Sequence, residues 1–126
     1  MHASLQINPY YGKTNAAGIK FHLEQAMNYG PAIVYNVPSR TNQDVGPEIV
    51  EEIAKHPNFC GMKECAGDER IKHYQDQGIL CWSGNDDEYH NSKWGDAGCH
   101  GVISVTSNVL PGVMRQLTDA KNPELN

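Results

Sequence analysis

Residues 59–78 read FCGMKECAGDERIKHYQDQG, and their division decides the fold. The opening FCGMKEC is short and mostly apolar, and it reads as a strand. ERIKHYQD then reads as a short helix closed by Gly78. This strand-then-helix unit recurs in both directions. Upstream, LQIN (5–8) reads as a strand, after which Thr14 or Asn15 caps a helix with Ile19, Leu23, Ala26 and Met27 on one face. That helix ends near Gly30. AIVYNV (32–37) is the next strand. Pro47 at a first helical position opens PEIVEEIAK, with Ile49, Val50, Ile53 and Ala54 on one side, and His56-Pro57 stops it. Downstream, ILCWSG (79–84) is a fourth strand, and Asn85 or Asp86 is placed to cap a helix. GVISVTSN (101–108) is a fifth, and Pro111 opens a last helix with Val113, Met114 and Leu117 inward.

Five β-then-α units in a row imply an α/β protein with a parallel sheet. An open doubly wound sheet and a closed (β/α)8 barrel both satisfy that pattern. No Gly-x-Gly-x-x-Gly follows the first strand, which argues against dinucleotide binding. Polar and special residues gather just after the strands, at Tyr11, 36–41, 63–67, 83–87 and 104–108. In parallel α/β folds the carboxyl ends of the strands carry the chemistry.

The chain has 126 residues, a net charge of −5 and 39% hydrophobic residues, which suits one domain over 1–126. No basic run points to nucleic acid, and no apolar stretch is long enough to span a membrane. The opening MHASLQINPYYGKT has neither signal-peptide order nor transit-peptide composition. Cys60, Cys65, Cys81 and Cys99 form no Cys-x-x-Cys pair and read as small buried hydrophobes in a reducing compartment. No metal site is expected. The six histidines show no ligand spacing, and His90 and His100 read as surface or turn residues. The run NDDE (85–88) reads as a capped helix start with acids in its first turn.

Lys63 is the anomaly. An ammonium in an apolar strand is costly unless paired or neutralised. From its own strand alone, Lys63 reads as a strand-end lysine snorkelling into water; the sharper alternative is an amine kept partly neutral to act as a nucleophile. Strand parity puts Ile33, Tyr35 and Val37 on one face, and Gly61, Lys63 and Cys65 on one face of theirs. If both faces point into a common interior, a phenol and an amine meet there.

YNVPSRT (35–41), GMKECAG (61–67), SGND (83–86) and GVISVTSN (101–108), in this order, resemble the dihydrodipicolinate synthase family. NPYYGKT (8–14) and WSGNDDE (82–88) look most like its plant members. The resemblance implies a (β/α)8 TIM barrel, of which this chain supplies strands four to eight; a whole barrel takes roughly 250 residues. It further implies that the chain is a fragment with Met1 an internal methionine. The implied reaction condenses pyruvate with aspartate semialdehyde, in lysine biosynthesis, without a cofactor. On the same resemblance, Lys63 forms a Schiff base with pyruvate and Tyr35 moves protons. Tyr11 joins the relay across a subunit interface. Arg40 binds the semialdehyde carboxylate, and Gly84 and Ile103 line the pyruvate site. Tyr10 lies by an allosteric lysine site, the full-length assembly is a tetramer, and the location is the plastid if the source is a plant, otherwise the cytoplasm. The family's Gly-Thr-Thr-Gly-Glu segment, which supplies a relay threonine, is absent from the sequence. The rival readings are an N-acetylneuraminate-lyase type aldolase and an inactive fragment with only a binding or assembly role.

Overall fold

The computed structural model describes residues 2–120 and residue 124. Two compact units divide the chain, the first ending at Met62 and the second beginning at Lys63. The strands are β1 (Ser4–Ile7), β2 (Ala32–Asn36), β3 (Phe59–Glu64), β4 (Cys81–Ser83) and β5 (Gly101–Val102). The helices are α1 (Ala16–Met27), α2 (Pro38–Thr41), α3 (Pro47–Ile53), α4 (Asp68–Asp76), α5 (Tyr89–Trp94) and α6 (Pro111–Asp119). The strands follow chain order in one five-stranded sheet, β1-β2-β3-β4-β5. Pairing is parallel between β1 and β2 and between β4 and β5. A doubly wound sheet reverses its strand order at a switch point. Here nothing reverses, and unbroken chain order is the strand order of a (β/α)8 barrel.

In the first unit, Leu5 and Ile7 of β1 stand opposite Ile33 and Tyr35 of β2. The alternate residues Ala32, Val34 and Asn36 are completely buried, whereas Ile33 and Tyr35 are half-buried. The helices therefore cover one face of this pair. Ile19, Leu23 and Met27 form the buried stripe of α1, which packs on β1, β2 and α3. Asn15 is the cap that forms, with its side-chain oxygen accepting from the Gly18 amide at 3.0 Å. Asn15→Ala is expected to cost about 1 kcal/mol, read as a lowered midpoint in urea with an unchanged slope.

One element was not legible in the sequence. PSRT, just after β2, is the helical turn α2. Pro38 sits in its first turn, and Asn42 closes it at φ 55° with its amide donating to the Pro38 carbonyl at 2.8 Å. In the second unit, Tyr74, Tyr89, Cys81, Met114 and Leu117 are buried, while Val113 is half-buried. Three expectations fail there. The fifth strand is two residues long. The Ser104 hydroxyl accepts from the Ser107 amide at 2.9 Å, and the chain turns into a 3-10 helix over Thr106–Asn108. The helix after β4 starts at Tyr89 without a side-chain cap or acids in its first turn, because Asn85 and Asp86 bond elsewhere. His90 is buried at 5% exposure, since the face of α5 that carries it turns inward; His100 is exposed. Among the cysteines, Cys81 and Cys99 are buried and Cys60 and Cys65 only half so.

Candidate functional site

In the second unit the site builds from the ends of three strands. Lys63, next to last in β3, is only 7% exposed. It is not a lysine reaching into water, so the snorkelling alternative fails. Gly84, just past β4, donates its amide to the Glu64 carbonyl at 2.9 Å. A Cβ on Gly84 would lie 3.1 Å from Lys63 Cε and would overlap Cys65 Sγ. The room a side chain would take is thus filled by the lysine stem and a thiol. Ile103, just past β5 and half-buried, donates its amide to the Ser83 carbonyl at 3.1 Å. Lys63 and Gly84 are brought together, and Ile103 is hung from the residue before Gly84.

Two side chains lock the turn after β4. The Asn85 amide nitrogen donates to the Cys65 carbonyl at 3.3 Å and to Glu88 Oε2 at 3.0 Å. Asp86 Oδ2 accepts from the Val105 amide at 3.0 Å, and from the Thr106 amide and hydroxyl at 2.9 Å each. Burial pushes the Asp86 carboxyl up, but hydrogen bonds from Ser104, Thr106 and Val105 outweigh it and hold it below the ordinary aspartate value. Sequence reasoning gave Asn85 and Asp86 a capping role and missed this one. Apart from Glu88, their partners lie 19 to 20 residues away, and no local pattern marks them.

Behind these strand ends, Glu64 is completely buried and accepts from the Ala66 amide at 2.8 Å. The Cys81 thiol is also completely buried. Burial first, then the Glu64 carboxylate and Cys99, drive its ionisation far above the ordinary 9.0. Burial raises Cys99 likewise. A folded pKa above the unfolded one means stability that is complete below pH 9.0 and is lost as pH rises toward the folded value. The urea midpoint of the chain is therefore expected to fall steeply above pH 9.0, and Cys81→Ala to flatten that fall.

In the first unit, Tyr35 is half-buried on β2, on the face that carries Ile33. Asn36 beside it is completely buried; its amide donates to Asp44 at 2.7 Å and its oxygen accepts from the Val45 amide at 3.0 Å. These bonds hold the segment around α2, on which Arg40 is exposed. Tyr10 and Tyr11 follow β1 and are 60% and 98% exposed, lining an open hollow with Asn8 and His22. Among the described residues, no group of three or more His, Cys, Asp or Glu is arranged to hold a metal ion.

A family model described as the dihydrodipicolinate synthetase family matches residues 1–124. The chloroplastic 4-hydroxy-tetrahydrodipicolinate synthase of Nicotiana tabacum is 55% identical over all of this chain, which covers 35% of that protein. The Zea mays chloroplastic synthase is 56% identical, again over the whole chain, which covers 33% of it. The chain thus spans about a third of the length of the curated relatives it matches. Among solved structures, the lysine-bound dihydrodipicolinate synthase of Cyanidioschyzon merolae aligns with a TM-score of 0.80 at 27% identity, over 98% of this chain and 45% of that one. The chloride-inhibited synthase of Acinetobacter baumannii complexed with pyruvate aligns at 0.80 and 30% identity, with the same coverage.

Proposed function

The chain belongs to the dihydrodipicolinate synthetase family, and on that premise we propose that it is part of a 4-hydroxy-tetrahydrodipicolinate synthase. Such an enzyme condenses pyruvate with aspartate semialdehyde, a step of lysine biosynthesis. The observation that carries this reading is Lys63: a primary amine, 7% exposed, near the carboxyl end of β3 with its stem against the bare Cα of Gly84. The neutral amine attacks the pyruvate ketone, water leaves, and the iminium accepts the electron pair released when a methyl proton departs. The resulting enamine carbon attacks the aldehyde.

Tyr35 gives and takes protons in these steps, a task suited to a phenol. Arg40 offers a planar fork of donors to the semialdehyde carboxylate, and its exposure leaves that fork accessible. Gly84 and Ile103 line the pyruvate position. Tyr11 acts in a neighbouring subunit's relay, and its 98% exposure supports a role outside its own chain. Tyr10 serves an allosteric lysine site in a tetramer. Because the plant relatives are chloroplastic, the parent protein works in the plastid.

Incubation with pyruvate, reduction with borohydride and peptide mass mapping test the reading. One reduced pyruvate on Lys63 is the expected result. A folded chain with no adduct, or with the adduct elsewhere, overturns it. Adding aspartate semialdehyde in one arm and N-acetylmannosamine in another then identifies the acceptor.

A further inference from the structure

Asp86 stands between two segments of the second unit that the proposed reaction uses. One is the turn after β4, which carries Gly84; the other is the run after β5, which begins with Ile103. The ladder between these strands is short. Trp82 pairs with Gly101 and Ser83 with Val102, and the bond from the Ile103 amide to Ser83 is its last rung. Beyond that rung the run has no strand partner among the described residues, and its Val105 and Val109 are 66% and 81% exposed. Asp86 Oδ2 takes over, accepting from the Val105 amide and from both the amide and the hydroxyl of Thr106. The turn that presents Asp86 is itself tied to the end of β3, through Gly84 to the Glu64 carbonyl and Asn85 to the Cys65 carbonyl. Hydrogen bonds thus run from the strand end that carries Lys63 to the run that carries Ile103, with one carboxylate oxygen as the junction.

We infer that Asp86 is a positioning residue whose carboxylate fastens the Ile103 run to the Gly84 turn and so sets the wall against which pyruvate rests. The clamp is a property of the fold; its effect on pyruvate rests on the Schiff-base reading. Charge-assisted bonds from backbone amides are stronger than neutral ones, so this junction outweighs an ordinary turn contact.

The full chain and its Asp86→Ala, Asp86→Asn and Thr106→Val variants test the inference by two measurements. The first is hydrogen exchange at the Val105 and Thr106 amides, referred to amides of α1. The second is the pyruvate concentration that half-saturates borohydride trapping, set against the trapping rate at saturation. Asp86→Ala is expected to speed exchange at both amides by about tenfold or more, and to raise half-saturating pyruvate several-fold with the saturated rate unchanged. Asp86→Asn keeps an acceptor without the charge and should fall between. Thr106→Val deletes one of the three donors to Oδ2 at little cost to the fold, so a smaller effect in the same direction is expected even if Asp86→Ala fails to fold. Unchanged exchange in the folded variants overturns the clamp. Faster exchange with unchanged half-saturation overturns its positioning role. A folded wild-type chain that gives no adduct overturns the Schiff-base reading instead, and exchange still decides the clamp.

Discussion

Lys63→Met is expected to abolish the borohydride-trapped pyruvate adduct, and Lys63→Arg to abolish it equally. Imine formation needs a nitrogen that loses its protons during attack and keeps a carbon–nitrogen double bond afterwards. Methionine has no such atom, and a guanidinium stays protonated throughout the working pH range. The arginine variant is the more informative. It retains a positive charge and a long stem, so its loss of adduct cannot be assigned to removing charge from a region where only 7% of the residue meets solvent. The other lysines serve as internal controls. Lys55 and Lys72, for example, are surface residues paired with Glu52 at 3.0 Å and Asp76 at 3.1 Å, and they should remain unmodified in wild type and variants alike. An adduct of wild-type yield in Lys63→Arg would remove the central residue of the proposed reaction.

Gly84→Ala carries the second large effect. The added methyl would overlap Cys65 Sγ, stand 3.1 Å from Lys63 Cε and come within 3.4 Å of the Glu64 carbonyl oxygen. Cys65 has one side-chain torsion with which to retreat. The carbonyl cannot move without breaking the 2.9 Å bond from the Gly84 amide. Overpacking of this kind costs about 1–3 kcal/mol. It also displaces the lysine stem, so trapping by pyruvate should fall along with stability. Cys65→Ala removes the worst overlap, and the double variant is expected to recover most of the stability. Adduct yield should recover less, because the methyl still presses on Lys63 Cε. A double-mutant cycle in urea gives the coupling, and a value near zero would show that Cys65 does not occupy the space over Gly84.

The strand-and-helix order of this chain was legible because its signals are local. Ile19, Leu23 and Met27 recur at helical spacing and are the residues α1 buries. Asn15 caps and Pro47 opens helices, as short side-chain oxygens and a fixed φ require. Lys63 stood out because a cation in an apolar strand contradicts its surroundings. Tyr35 was marked only by strand parity and Tyr11 and Arg40 only by lying just after strands, and the resemblance to a known family was what gave these residues and Tyr10 their roles.

By itself, then, the sequence determined five strand–helix units, their parallel character and a lysine set late in the third strand. Periodicity is written in neighbouring residues and survives in any context. Tertiary structure alone decided that the strands lie in unbroken chain order, since the same periodicity serves a doubly wound sheet. It alone ended β5 after two residues, turned His90 inward and took Asp86 away from a helix cap to hold Val105 and Thr106. For Asp86 the outcome is a competition between a local helix cap and donors about twenty residues distant, and only packing brings the distant ones within reach.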